Sequence, residues 1–445
     1  GTPVSAEVLP AIVKGAQVPS LIGSKNKEVF AYACPKGALV PIPVQIDDVN
    51  AEGRILPDSG PGGLVADESP GVMDATDEIV VRVKDLAPAC PPAALAQLNG
   101  KVSEAAIGAS YFKEKLFVYL MVGGKGASAP TDLRYDPAQD TIHAPGYSWG
   151  YSLKQPCLYT VMNFLDLKGR EKDDLSDRLR VRMKARALGS LIRLKIDEDE
   201  VICTLHGVRT GPLRVTRELM AVVSPLPGFT VNAAVSFIHY ERFLQAWIRV
   251  KMPAPAALFV SSLDVAFAHD FTDLKGLRFS TSALPGGAVV DGRMIESERR
   301  IDIGPEPWYY LSGQGVNQIT TLDMEAGLKL RAVNQFIDDP AYLEPPEEIP
   351  GCLPCLGYEL LGWENMQARW YTFGAAFAFL KGFPEGGGSG YYKTLRTPFE
   401  IHSAVRGEPA AQAGQGGPDA AARDEIERLR RRIQELERQQ KPAAQ

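Results

Sequence analysis

Oxygen-bearing side chains alternate in one short stretch of the sequence, between two strand-like segments. Asp48, Asn50 and Glu52 occupy every second position, and a glycine follows them. This pattern is typical of a calcium loop, in which positions 1, 3 and 5 supply side-chain oxygens and position 7 supplies a backbone carbonyl. Ser59 stands where the usual bidentate acid is expected, so an acid after the following insertion must close the site. The predicted metal ligands are Asp48, Asn50, Glu52, Arg54, Asp77 and Glu78. The alternative is an ordinary polar turn between two strands.

A second pattern is suited to anions. Cationic side chains alternate with apolar ones from residue 178 to residue 186, which in a strand puts five positive charges on one face. Like charges at this spacing repel each other, and guanidinium groups match carboxylate and phosphate geometry, so an acidic polysaccharide or a lipid phosphate would suit this face. The alternative is pairing with the chain's own acids at 171–177 and 197–200. These five residues, called the cation ladder below, are Arg178, Arg180, Arg182, Lys184 and Arg186.

Three residues have side chains suited to acid–base catalysis. His239, Glu241 and His269 lie in strand-like segments, and they are catalytic candidates if they face a groove together with arginines and exposed aromatic side chains. The alternative is that each is a core residue with satisfied hydrogen bonds. The sequence has no serine-elbow, H-E-x-x-H or phosphate-loop motif, and we expect no haem, nucleotide or zinc.

The cysteines help to predict the cellular compartment of the protein. There are six, and Cys352 and Cys355 form a C-x-x-C in a proline-rich segment, for which we predict a disulfide rather than a redox pair or half of a zinc site. An even number of cysteines fits an oxidising compartment. The chain begins at Gly1 without a signal-like segment. These features predict a periplasmic or extracellular protein from which a signal peptide has been removed.

Period-two alternation recurs through most of the chain, for example at 178–187, 213–222 and 244–252, and turn-rich segments such as 384–390 separate these runs. The pattern predicts a mainly β protein with two β-sandwich-like domains. At the level of fold, the larger domain resembles the supersandwich of mutarotase-like proteins. The predicted domains are residues 1–128 and 129–405.

The composition changes after residue 405. Residues 406–420 are rich in glycine and alanine and predict a flexible linker. Residues 421–440 predict a short coiled-coil helix, because its apolar residues are spaced three, four and three apart. Two heptads are marginal alone, so the segment indicates self-association or a partner protein; a solvated tail is the alternative. The predicted seam is Ile426, Leu429, Ile433 and Leu436.

One segment carries a family resemblance. The sequence VPIPVQIDDVNAEGRI, followed after an insertion by DEIVVRV, resembles the VPVQVDD-x-DGDGK-x-DELVF type of segment near the start of exported bacterial β-sandwich proteins. Many of these are uncharacterised, and some are associated with polysaccharide use. The resemblance covers about a tenth of the chain and implies the fold and export, while the metal site and carbohydrate binding do not follow from it.

The net charge of −6 argues against a nucleic-acid-binding protein, and no apolar run approaches the length of a membrane span. The leading interpretation is an exported, non-catalytic structural or binding component of an oligomeric assembly. The alternative is a carbohydrate-active enzyme, a lyase or mutarotase-like protein, that acts on an acidic polysaccharide.

Overall fold

The protein is built mainly from antiparallel β-sheets, as the alternation in its sequence predicts. The computed structural model describes residues 4–60, 67, 69–128, 130, 132–187, 191–226, 229–252, 258, 260–325 and 327–406. Within these residues the chain forms 26 strands. Its α-helices are short: α1 (Val4–Glu7), α2 (Pro92–Leu95) and α3 (Gly387–Arg396). No helix among the described residues is long and apolar enough to cross a membrane.

Two sheets contain most of the N-terminal residues. The three-stranded sheet has the order β1 (Pro10–Lys14), β5 (Glu78–Arg82) and β4 (Gln45–Asp47). The first five-stranded sheet has the order β26 (Glu400–Arg406), β6 (Val102–Gly108), β7 (Leu116–Val122), β2 (Val29–Ala33) and β3 (Val40–Ile42). The last described strand, β26, therefore completes an N-terminal sheet, whereas the predicted larger domain extends to residue 405.

Three further sheets form the larger part of the molecule. The four-stranded sheet has the order β11 (Tyr159–Phe164), β10 (Tyr147–Tyr151), β9 (Thr141–His143) and β8 (Arg134–Asp136). The second five-stranded sheet has the order β13 (Ile192–Ile196), β12 (Ser176–Ala187), β18 (Val260–Phe271), β24 (Cys352–Leu361) and β23 (Arg331–Asp339). The nine-stranded sheet has the order β14 (Ile202–Arg209), β15 (Val215–Leu226), β16 (Phe229–His239), β17 (Phe243–Lys251), β25 (Trp370–Phe379), β22 (Val316–Met324), β21 (Trp308–Gly313), β19 (Arg278–Thr281) and β20 (Ala288–Val289).

The largest core contains buried residues of all three of these sheets. The sequence of strand β12 explains its position, because Ala185 and Ala187 are buried in this core while the alternating cations project from the other face. The three strands predicted from alternation are confirmed as β12, β15 and β17. Burial of one apolar face per strand supplies the main stabilisation of such packed sheets.

Helix α3 was not predicted, because its glycine-rich start reads as a turn. Gly388 lies against the indole of Trp308, and a Cβ atom there would come within 2.5 Å of the ring. Close packing on β21 thus requires the glycine that weakens the local helical signal. The predicted linker (406–420) begins one residue too early, because Arg406 is the last residue of β26, and its other residues and the predicted coiled-coil helix lie outside the described residues.

Candidate functional site

The segment after β4 forms a tight loop whose carboxylates accept hydrogen bonds from neighbouring segments. The Asp48 carboxylate is 8% exposed, and its Oδ1 accepts from Asn26 Nδ2 at 2.7 Å and from the Gly71 backbone N–H at 2.9 Å. Burial raises the pKa of Asp48 above its usual value, and the hydrogen bond from Gly71 opposes that rise. Asp48 therefore ties the insertion and residue 26 to the start of the loop.

Two of the predicted metal ligands are used by the loop itself. Asn50 Oδ1 accepts from the backbone N–H groups of Glu52 and Arg54 at 3.1 and 2.9 Å, which closes an Asx-type turn. Asp77 is fully buried and accepts from the N–H groups of Val49 and Asp74, both at 3.0 Å. Burial raises the pKa of Asp77 to about 6.

The backbone carbonyl of Arg54 accepts from the Asn50 N–H at 2.9 Å within the loop, and the remaining predicted ligands are Glu52 and Glu78. Glu52 is exposed, and Glu78 forms ion pairs with Lys14 and Arg214, both at 2.6 Å. The structure does not bring the six predicted ligands to a single point. Among the described residues, three His, Cys, Asp or Glu ligand atoms lie within 4.8 Å of one another only at Asp270, Cys352 and Cys355.

A different set of oxygens does lie beside Asp48. Asn26 Oδ1 and Asp67 Oδ2 are buried and have no hydrogen-bond partner among the described residues. The charges of Asp67 and Asp47 both act to raise the pKa of Asp48. Buried oxygens without donors are chemically suited to a hard cation such as Ca²⁺.

Strand β4 joins the N-terminal residues to the larger part of the molecule. Asp47 is fully buried and accepts from Arg214 Nε at 2.5 Å and from Arg209 Nε at 2.8 Å. Gln45 Oε1 accepts from the backbone N–H groups of Leu213 and Arg214 at 3.0 and 2.9 Å. Gln45 and Asp47 therefore hold β4 against the β14–β15 connection. We call this contact the junction.

A cleft of about 750 Å³, lined by both polar and apolar residues, opens beside the junction. We call it the junction cleft. Asp48, Gln45 and Arg209 supply polar groups to it, Lys25 and Lys27 lie in its lining as exposed cations, and Phe30 supplies an aromatic surface. Its volume is in the range of ordinary ligand sites. The lining comes from parts of the segments 25–30, 42–48, 70–72, 126–127 and 209–212.

The cation ladder is divided between paired and exposed members. Arg178 lies 3.5 Å from Glu198 and 3.3 Å from Glu348. Arg180 is 2% exposed and lies 3.0 Å from Asp270 and 2.9 Å from Glu347. Arg182 pairs with Glu198 and Glu344. Internal carboxylates thus compensate the first three arginines, whereas Lys184 and Arg186 at the far end of β12 are exposed.

The three catalytic candidates do not meet in a groove. His239 is fully buried, with Nδ1 3.2 Å from the Tyr147 hydroxyl and Nε2 2.7 Å from the Tyr151 hydroxyl, and burial lowers its pKa well below the usual value. His269 is buried beside the Tyr159 hydroxyl, and burial lowers its pKa to about 3. Both histidines are therefore neutral, aromatic-lined core groups.

Glu241 is partly buried between the two parts of the molecule. It forms ion pairs with Arg82 and Lys84. Burial alone would raise its pKa, but the two cations hold that pKa below the usual value. Glu241 is therefore ionised at neutral pH and contributes to holding the parts together.

All six cysteines form disulfides: Cys34–Cys90, Cys157–Cys203 and Cys352–Cys355. The predicted disulfide in the C-x-x-C segment is confirmed. Its sulfurs lie 3.6 and 3.7 Å from Arg180 Nη1, so they form one wall of the buried cluster around that guanidinium.

Another buried carboxylate lies near the loop. Glu218 on β15 is 8% exposed and accepts from the Ser236 hydroxyl at 2.8 Å. Burial raises its pKa to about 7, against opposing effects of Ser236 and of Arg54 in the loop. The folded state therefore holds this proton at a pH where the unfolded chain releases it.

We expect Glu218→Gln to stabilise the protein at alkaline pH. A carboxyl pKa raised on folding contributes stability below the unfolded pKa and loses it as the pH rises through the folded pKa. The variant should gain on the order of 2 kcal/mol at about pH 8 and almost nothing at about pH 4.5, since each unit of pKa shift corresponds to about 1.4 kcal/mol. Urea unfolding at both pH values measures this, with the exposed Glu114→Gln as control. A gain that is equal at both pH values would contradict the assignment.

Sequence reasoning missed the residues that define the junction and its cleft. Gln45 and Asp47 lie on the same face of the three-residue strand β4, on either side of Ile46. Two polar side chains on one face of a buried strand are the one local signal for the junction. Arg209 and Arg214 lie more than 160 positions later and have no local mark that distinguishes them from other cations.

Comparisons with known proteins give only distant likenesses. No protein-family model matches the chain, and no curated protein matches it significantly. A GalM/aldose epimerase homologue from C. elegans is 9% identical, with a TM-score of 0.36 over 53% of this chain and 96% of that one. A glycosyl hydrolase family 38 protein from Enterococcus faecalis is 9% identical, with a TM-score of 0.44 over 91% of this chain and 46% of that one. A galactose mutarotase-like protein from Lactobacillus casei is 13% identical, with a TM-score of 0.30 over 54% of this chain and 98% of that one. With TM-scores below 0.5, these likenesses do not determine the function of this chain.

Proposed function

We propose that the protein binds an acidic carbohydrate in the junction cleft. The observation that carries the proposal is the composition of that cleft, which combines exposed Lys25 and Lys27, the carboxylate of Asp48 and the ring of Phe30. Carbohydrates offer hydroxyl groups to polar side chains and apolar ring faces to aromatic ones, and a uronate adds a carboxylate that lysine attracts. The weakly similar structures have carbohydrate-related names, but the proposal rests on the cleft and not on them.

Calcium is part of this proposal, as the spacing of the loop suggests. The proposed ligands are Asp48, Asp67 and Asn26. Asn50 and Asp77 are not among them, because their side-chain oxygens accept hydrogen bonds from backbone N–H groups. A cation at Asp48 would lie in the floor of the cleft, where it offers further coordination positions to hydroxyl or carboxylate oxygens of a ligand. The cation would also relieve the repulsion between the neighbouring carboxylates.

We expect calcium to stabilise the protein. Since a ligand that binds only the folded state stabilises it by mass action, Ca²⁺ at about 100 times its Kd should add about 2.7 kcal/mol to the free energy of unfolding. Thermal unfolding with calcium and with chelator measures the effect. Asp67→Asn should abolish it, whereas Glu52→Gln, a change at an exposed carboxylate of the same loop, should not. A melting temperature that does not change between calcium and chelator, or an equal loss of the calcium effect in both variants, would refute this ligand set.

The carbohydrate proposal predicts a charge-dependent affinity. Lys27→Glu should weaken binding of polygalacturonate oligosaccharides about tenfold, which corresponds to about 1.4 kcal/mol, because it replaces attraction with repulsion at the cleft. Isothermal titration calorimetry in calcium-containing buffer measures this. The matched control is Lys113→Glu, an exposed lysine outside the cleft. Binding that is equal for neutral dextran oligosaccharides, or equally weakened by both variants, would contradict the proposal.

A lyase in the same cleft is the second candidate, favoured by the position of Asp48 in the cleft lining. Asp48 is the one carboxylate among the described residues that line the cleft. Glycoside hydrolysis ordinarily uses two carboxyl groups, whereas removal of a proton next to a uronate carboxylate needs one base. Formation of unsaturated product from polygalacturonate, lost in Asp48→Asn, would establish the lyase; tight binding without product would leave the non-catalytic function.

We also propose that the protein is exported and that it self-associates. The three disulfides favour an oxidising compartment, in agreement with a periplasmic or extracellular site of action. Self-association through residues 421–440 remains a prediction, since those residues lie outside the described ones.

A further inference from the structure

The second five-stranded sheet and the nine-stranded sheet end together at one end of the larger part of the molecule. β17 leads into β18, β22 into β23, and β24 into β25, so three connections join the two sheets there. The backbone N–H of Met252, after β17, donates to the carbonyl of Arg369, before β25, at 3.1 Å. The connection between β12 and β13 lies at the same end, because Ala187 is in register with both Ile192 and Val260.

Exposed cations surround this end. On the second five-stranded sheet, Lys184 is in register with Lys195, and Arg186 is in register with Arg193. These four side chains point away from the core, because Ala185 between them is buried in it. All the cations of this end, which we call the basic end, are exposed, and they are Lys184, Arg186, Arg193, Lys195, Arg249, Lys251, Lys329 and Arg331.

The nine-stranded sheet contributes its own outer face to the basic end. Val250 is buried in the core, so Arg249 and Lys251 on either side of it point outward. Both lie over the ring of Trp370, with Arg249 Cζ 4.9 Å and Lys251 Nζ 5.8 Å from its centroid. Ile202, the first residue of β14, is 68% exposed and lies in the same register row as Lys251 and Trp370. Cations, an aromatic ring and an exposed aliphatic side chain therefore share this face.

Acids compensate these cations only in part. Among the described residues, none of the cations of the basic end forms an ion pair, in contrast to the arginines at the start of β12. Two of the interspersed acids have other partners: Glu325 pairs with Arg369 at 3.0 Å, and Glu364 accepts from the Leu263 N–H at 3.1 Å. The interspersed acids are Asp264, Glu325, Glu359 and Glu364. The basic end is therefore positively charged in a chain whose net charge is −6.

Two leucines extend the basic end beyond the last strand residues. Leu191 directly precedes β13 and is 87% exposed, and Leu258, two residues before β18, is 73% exposed. Strands β13 and β18 lie on either side of β12, so both leucines lie just beyond the row of Ala187. Single exposed leucines are common on protein surfaces. Apolar side chains at the tip of a cationic end are the combination by which proteins bind the surface of an anionic membrane.

We propose that the basic end docks on a membrane of anionic phospholipids, with Leu191 and Leu258 in the interfacial layer and the surrounding cations at the lipid phosphates. Guanidinium and ammonium groups are attracted to phosphate, and each one near the membrane surface adds to the affinity. The leucines favour a membrane over a soluble acidic polymer, because a polymer in water offers no apolar layer to receive them. This surface is separate from the junction cleft and does not rest on the function proposed there.

Co-sedimentation of the full chain with lipid vesicles tests the proposal. We expect binding to vesicles of phosphatidylglycerol mixed with phosphatidylcholine, decreasing as salt is added, and no binding to phosphatidylcholine alone. Arg186→Glu combined with Arg193→Glu should weaken binding to the mixed vesicles about tenfold or more. The matched control is Lys113→Glu combined with Lys115→Glu, which makes the same change in net charge at exposed lysines between β6 and β7. No binding to the mixed vesicles, or equal effects of the two double variants, would overturn the proposal.

A second pair of variants distinguishes a membrane from a soluble polyanion. Leu191→Ser combined with Leu258→Ser should weaken binding to the mixed vesicles about tenfold, because it removes the apolar contribution, and should leave binding of polygalacturonate unchanged. The matched control is Leu343→Ser combined with Ile349→Ser, at exposed side chains between β23 and β24. Undiminished vesicle binding by the leucine variant would overturn the choice of a membrane. The same conclusion would follow if the arginine variant lost affinity for polygalacturonate as strongly as for vesicles.

Discussion

Replacing Asp47 with alanine is expected to lower the free energy of unfolding by about 3–5 kcal/mol, the cost of leaving a buried charge without its partner. The variant removes the carboxylate that accepts from Arg214 at 2.5 Å and from Arg209 at 2.8 Å. Arg214 is 1% exposed, so water cannot replace the lost partner. Its remaining ion pair, with Glu78 at 2.6 Å, compensates only part of the guanidinium.

Denaturant unfolding of Asp47→Ala against the parent protein measures this loss. The matched control is Asp58→Ala, because Asp58 also pairs with Arg209 but is partly exposed. Exposed pairs contribute about 0–1 kcal/mol, so the control should change little. Equal losses in the two variants would show that the junction does not depend on burial of Asp47.

Arg180→Met is the second change with a large expected effect. It leaves Asp270 and Glu347 buried without the guanidinium that lies 3.0 and 2.9 Å from them, and we expect a loss of about 3–5 kcal/mol near neutral pH. Burial raises the pKa of Asp270 to about 7 even with Arg180 present. Without the arginine this pKa should rise further, so the variant should lose more stability at alkaline than at acidic pH.

Urea unfolding at about pH 8 and about pH 5 separates the charge effect from lost packing, because Asp270 is protonated at the lower value. Arg186→Met is the matched control, since Arg186 lies on the same strand and the same face but is exposed. A loss for Arg180→Met that does not depend on pH would assign its role to packing alone.

The two buried clusters show what the sequence can and cannot predict. Alternation along β12 predicts both the strand and the face that carries the cations, because these follow from local geometry. It cannot identify Glu344 and Glu347 as partners of Arg180, since they lie 164 and 167 residues away. Such partners are chosen by the tertiary fold, and nothing in the spacing of nearby acids distinguishes them.

Prediction from sequence is limited in the same way for the loop after β4. Its spacing correctly marks a concentration of side-chain oxygens, but spacing does not decide whether an oxygen meets a cation or a backbone N–H. Asn50 Oδ1 accepts from two backbone N–H groups of its own turn, and Asp77 accepts from the backbone N–H of Val49. The oxygens without donors belong instead to Asn26 and Asp67, one before the segment and one within the insertion.

Hydrogen–deuterium exchange of the full chain with and without polygalacturonate oligosaccharides tests most directly whether the junction cleft binds an acidic carbohydrate. With calcium present, we expect the ligand to slow amide exchange in residues 25–30 and 209–212, parts of which line the cleft. Chelator should reduce that protection. Protection confined to the outer face of β12, or no protection at a concentration that saturates binding, would contradict the placement of the carbohydrate site in the cleft.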